Sequence, residues 1–89
     1  MTKAAIRNLF TPGQRVTVTN HYITREDHPC FGTRVRMVAR VTTSHLHFAE
    51  SGSVAWPKAS QMTADGGTVR LFGGGVGQAA DAPFLTIQL

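Results

Sequence analysis

The chain has 89 residues and a mass of 9.6 kDa, which is one domain's worth of core and not two. Nine Lys and Arg stand against five Asp and Glu, so the formal charge is +4 and the isoelectric point about 10.3. At 42% hydrophobic and 16% charged residues, the composition excludes a highly charged disordered chain. A single cysteine excludes an internal disulfide framework. No apolar run reaches the length of a membrane span, and no N-terminal stretch has the pattern of a secretion signal. These features predict a soluble, cytoplasmic, single-domain protein spanning residues 1–89.

Residues 2–10 read as a short helix or turn, with Ile6, Leu9 and Phe10 at helical spacing and Thr2 as the N-cap; the Thr11-Pro12-Gly13 sequence ends the N-terminal segment 1–13. Residues 14–23 read as a strand. Val16, Val18 and Tyr22 share one face of it, and Arg15, Thr17, Thr19 and His21 the other. A polar loop, 24–32, carries Pro29 and Gly32. The second strand, 33–41, alternates Val35, Met37, Ala39 and Val41 with Arg34, Arg36 and Arg40, which assigns the aliphatic set to the core and the arginines to solvent. The apolar parity then changes, because Leu46 and Phe48 are even-numbered; the turn Thr42-Thr43-Ser44 is the expected site of that change.

His45–Ala49 is the next strand, with His45 and His47 facing away from Leu46 and Phe48. A tight turn at 50–52 leads to a short strand, 53–56, carrying Val54 and Trp56, and Pro57–Gln61 is a 3₁₀ turn. Asp65-Gly66-Gly67 has hairpin-turn chemistry and precedes a strand over 68–72. Residues 73–83 form a Gly-rich, flexible connection, and 84–89 form a closing strand with Leu85, Ile87 and Leu89 inward. Phe10, Tyr22, Phe31, Phe48, Trp56, Phe72 and Phe84 are spread evenly, about one per segment, as expected of one shared core. The total is an all-β small barrel or sandwich of five or six short strands.

The segment Leu46-His47-Phe48, a turn, Val54-Ala55-Trp56-Pro57-Lys58 and Ala59-Ser60-Gln61 resembles the end of the SH3-like small barrels of bacterial and phage genomes. In these a Trp-bearing hairpin strand runs into a Pro-led 3₁₀ turn and then a last strand. Here Trp56 and Pro57 are adjacent, with no residue between them. The resemblance covers about residues 14–72 and implies an SH3-like barrel; it carries no functional residue, since such barrels host nucleic-acid binders, peptide binders and inhibitors alike.

Seven of the nine basic residues are Arg. Guanidinium groups bind phosphate bidentately and stack on bases, which predicts contact with nucleic acid or a nucleoprotein surface through Arg15, Arg34, Arg36 and Arg40, extended by Arg25, Arg70, His45 and His47. The alternative reading is an ordinary solvated sheet face. A second class of function is a phage or mobile-element accessory protein that binds and inhibits a host protein such as a defence complex. A third use of the surface is a homo-oligomer formed through the edge strand Phe84–Leu89.

His21, His28, Cys30, His45 and His47 are zinc-ligand types, but C-x₂-C and H-x₃-H spacings are missing, so no metal or other cofactor is predicted. Cys30 beside His28 lacks an evident oxyanion donor or orienting carboxylate. The run Gly73-Gly74-Gly75-Val76-Gly77 is followed by Gln78-Ala79, where a phosphate loop needs Lys and Ser or Thr. The expectation is a binding module and not an enzyme.

Overall fold

A computed structural model describes residues 2–21, 26–27, 32–50, 52–73 and 83–89. Thr2 caps a one-turn helix, α1 (Lys3–Arg7), its side-chain hydroxyl accepting from the Ala5 N–H at 3.1 Å. One turn of helix has little stability of its own; α1 is held because Ile6 and, beyond its C-cap, Phe10 are buried in the core.

Among the described residues seven strands follow: β1 (Arg15–Asn20), β2 (Gly32–Val41), β3 (His45–Phe48), β4 (Ser53–Ala55), β5 (Met62–Asp65), β6 (Thr68–Leu71) and β7 (Leu85–Gln88). A 3₁₀ turn, Ala59–Gln61, lies between β4 and β5. All pairings are antiparallel, in the order β4-β3-β2-β1-β7-β6-β5. The all-β expectation holds. The sheet has two ends, β4 and β5, which are not paired to each other, so it is open. The closing strand is central: β7 lies between β1 and β6 and offers no free edge for a second copy, because both of its sides are used within the chain.

The hairpin β5–β6 turns at Gly66 and Gly67, both at positive φ (59° and 82°), the geometry that a two-residue turn with the twist of its strands requires. The remaining expected segments are present, β2 starting one residue earlier than expected, at Gly32, and the others with shorter bounds; β5 is an additional strand.

One face of the sheet is the core. Val16 and Val18 of β1, Leu85 and Ile87 of β7, Val69 and Leu71 of β6 and Met62 of β5 join Val38, Leu46, Phe48 and Trp56 from the other half in a single cluster. Both halves contribute to one core, so the sheet folds over it. Trp56 is 6% exposed, with its ring 5.7 Å from that of Phe10, and its Nε1–H donates to the Thr42 carbonyl at 3.0 Å. The indole is therefore a core anchor, as its sequence context predicts, with its one polar atom satisfied.

The second strand departs from the sequence expectation. Val16 pairs directly with Arg36 and Val18 with Arg34, and directly opposed residues share a face. Arg34 and Arg36 thus project on the core side, while Val35 is 65% exposed on the other. A bulge lies between Val38, which pairs with Phe48, and Arg40, which pairs with His47. The extra residue restores the predicted facing beyond it, with Arg40 outward and Val41 packed against the core. The change of parity therefore occurs inside β2 and not in the turn Thr42-Thr43-Ser44.

Candidate functional site

The predicted wall of Arg15, Arg34, Arg36 and Arg40 is not formed. Arg36 is 8% exposed, with its guanidinium carbon 4.5 Å from the centre of the Phe48 ring and its Nε donating to Glu50 Oε2 at 3.2 Å. The Arg36 side chain is a packed element of the core rim. Phe48 supplies a π face for the cation, and Glu50 supplies its counter-charge. The Glu50 carboxyl is held below its usual range, first by its own backbone N–H and then by the Arg36 guanidinium. Arg34 lies on the same face nearer the strand start and is exposed. Arg15, opposite Met37, is on the other face.

The register brings a different set together on the outer face. Across β2, β1, β7, β6 and β5 run two rows of directly opposed residues. The first is Thr33, Thr19, Thr86, Arg70 and Thr63; the second is Val35, Thr17, Gln88, Thr68 and Asp65. Hydroxyls in these rows are tied across strands: Thr19 to Thr33 at 2.9 Å, Thr68 donating to Gln88 Oε1 at 2.6 Å, and Thr86 to His21 Nε2 at 2.8 Å. Arg15 stands beside Met37 on the same face.

Beyond the bulge the outer face carries Arg40, His45 and His47. The two imidazoles, two residues apart on β3, have ring centres 5.7 Å apart. His47 Nε2 lies 3.4 Å from an Arg40 Nη2, and because a guanidinium has no acceptor, the imidazole accepts. Its titration is pushed below 6.5, first by partial burial, then by Arg40 and His45. His45 Nδ1 is 2.8 Å from the Ser44 hydroxyl.

Among the described residues, Arg15, Arg40 and Arg70 have no carboxylate partner. No group of three or more His, Cys, Asp or Glu is placed to hold a metal there. Arg25, His28 and Cys30 lie outside the described residues, as do residues 74–77 of the Gly-rich run. The outward placement of Thr17 and Thr19 was legible from alternation, but their alignment into rows with Thr33, Thr86, Thr63 and Thr68 follows from the strand register, for which the sequence holds no signal.

Recesses lined by described residues include two at the ends of the sheet. One, of about 190 Å³, lies between Leu9, Ala64, Val69 and Leu89 at the β5–β6 turn, with Asp65 its one ionisable lining group. The other, of about 360 Å³, lies between β4 and the start of β7, lined by Val54, Trp56, Pro57, Gln61, Phe84 and Leu85, with no ionisable group among its described lining residues. No helix of the described residues is long and apolar enough to cross a membrane. No family model, curated protein or solved structure matches the chain.

Proposed function

We propose that the protein is a non-enzymatic module that binds the phosphate backbone of a nucleic acid along the outer face of its sheet. The observation that carries this reading is the separation of the arginines by face. Arg36 is neutralised by Glu50 at the core rim, whereas Arg15, Arg40 and Arg70 project outward with no described carboxylate to satisfy them. Threonine hydroxyls and the Gln88 amide lie between and beside these cations and are neutral donors of the kind that position a phosphate backbone. The net charge of +4 adds a long-range attraction for a polyanion.

Backbone recognition of this kind is sequence-independent and salt-dependent. Binding of a fluorescent duplex and of a single strand, measured across a salt series, is expected to weaken linearly on logarithmic axes. Each of Arg15→Ala, Arg40→Ala and Arg70→Ala is expected to lower the slope by about one. Arg34→Ala, on the core-side face, serves as the comparison. Binding that is unaffected by salt, or that responds to Arg34→Ala and not to the outer three, would remove this function.

A further inference from the structure

We propose that Arg40, His45 and His47 form a proton-dependent site for a phosphate group on the outer face beyond the β2 bulge. The site rests on the polyanion reading for its natural ligand, but its chemistry is defined by three side chains alone. Arg40 is a permanent cation. In the neutral state it spends an N–H on His47 Nε2 at 3.4 Å, so the imidazole acts as acceptor and presents nothing to an anion. Protonation of His47 reverses its role. It then becomes a second donor and a second positive charge within contact distance of the guanidinium, with the His45 ring 5.7 Å away as a third group able to charge. A phosphate placed among them removes the repulsion and accepts from all three.

The surroundings leave the site to these groups. From β2 the facing residue is Arg40. From β4 the residues opposite His47 and His45 are Ser53 and Ala55, neither of which ionises in this range. The nearest acid in sequence, Glu50, is engaged by Arg36. The hydroxyl of Ser44 holds His45 Nδ1, which fixes that ring. With an arginine donating to one of its imidazoles, the pair is poorly suited to a metal cation and well suited to an anion.

The test is a histidine NMR titration of the full chain with and without inorganic phosphate, together with oligonucleotide affinity from pH 8 to pH 5.5. Phosphate is expected to raise the His47 titration midpoint. A rise of about one unit makes the oligonucleotide, whose phosphodiesters keep their charge throughout this range, bind about tenfold tighter at the acid end. The double variant His45→Gln and His47→Gln is expected to flatten that dependence. Arg40→Ala is expected to raise the midpoint without phosphate and to abolish the phosphate response, two effects that misfolding does not produce together.

A His47 midpoint indifferent to phosphate overturns the site. So does a stronger response to zinc than to phosphate that grows in Arg40→Ala. Oligonucleotide binding that is salt-sensitive but flat with pH overturns the site and leaves the nucleic-acid reading standing. A phosphate-shifted midpoint with no oligonucleotide binding at any pH supports the site and removes nucleic acid as its ligand.

Discussion

Truncating Arg36 is expected to damage the fold, and truncating Arg34, two residues away on the same strand, is not. The three methylenes of the Arg36 stem are buried beside Val16 and Phe48, since the residue is 8% exposed. Alanine keeps Cβ and removes the two methylenes beyond it, which at about 0.8 kcal/mol each costs about 1.5 kcal/mol. The cation over the Phe48 ring adds about 1 kcal/mol at such a rim. The contact to Glu50 adds little, because that carboxylate is 57% exposed and regains water when released. Recovered hydration of the guanidinium offsets part of this total.

Arg36→Ala is therefore expected to lose about 2 kcal/mol. Arg36→Met keeps the apolar stem and places a thioether on Phe48, so it is expected to stay within about 1 kcal/mol of the parent. Arg34→Ala is expected to change stability by less than about 0.5 kcal/mol, as for an exposed site. Urea unfolding reads all three. With a slope near 1 kcal/mol/M for a chain of this size, the Arg36→Ala midpoint falls by about 2 M. Equal midpoints for Arg36→Ala and Arg34→Ala would refute the facing of β2. A loss in Arg36→Met matching that in Arg36→Ala would place the stabilisation in the ion pair and refute the packing account.

Two more outcomes concern the groups around this core. His47 and Glu50 both titrate below their ordinary values of 6.5 and 4.5, so in each case the unfolded chain binds more protons than the folded one. Stability is then full above the unfolded value and is lost as pH falls through the folded one. Thermal melts from pH 8 to pH 3 in phosphate-free buffer are expected to decline first below about pH 6.5 and again below about pH 4.5, with His47→Gln flattening the first step and Glu50→Gln the second. A variant that leaves its step unchanged removes the assignment. Trp56→Phe deletes the donor to the Thr42 carbonyl and part of the ring packed near Phe10, which is expected to cost about 2 kcal/mol and to lower the calorimetric midpoint by about 10 °C.

The fold was legible where alternation and burial agreed. In β1, β6 and β7 the residues at alternate positions, Val16 and Val18, Val69 and Leu71, Leu85 and Ile87, are buried as their spacing predicts. In β2 both faces contain long aliphatic chemistry, because an arginine stem is as apolar as a valine over its first three carbons. Spacing alone then assigned Val35 inward, and the register with β1 reversed it. The strand β5 carried no signal of its own: Met-Thr-Ala-Asp is short and poor in strand formers, and only the Asp65-Gly66-Gly67 turn implied a partner for β6. For the same reason the outer face was half legible. Arg15, Arg70, His45 and His47 sit on strands whose alternation is simple, while the contribution of β2 depended on a bulge that no residue type announces.

That bulge determines both the core and the candidate site. On an unbroken β2 the side chains of residues 34, 36, 38 and 40 would share one face, so Arg40 would follow Arg36 and Val38 toward the core and Val41 would turn outward. The extra residue between Val38 and Arg40 prevents this. It keeps Val38 opposite Phe48 and Val41 opposite Leu46, so that the apolar faces of β2 and β3 coincide, and it sets Arg40 opposite His47 on the outer side. One inserted position thus divides the arginines of a single strand between two environments. Arg36 is neutralised at the core rim by a carboxylate and an aromatic face, and Arg40 is delivered outward to a pair of histidines. The strand does not present a uniform basic stripe: Arg36 is a structural cation, Arg34 is exposed on the same face nearer the strand start, and Arg40 stands on the opposite face.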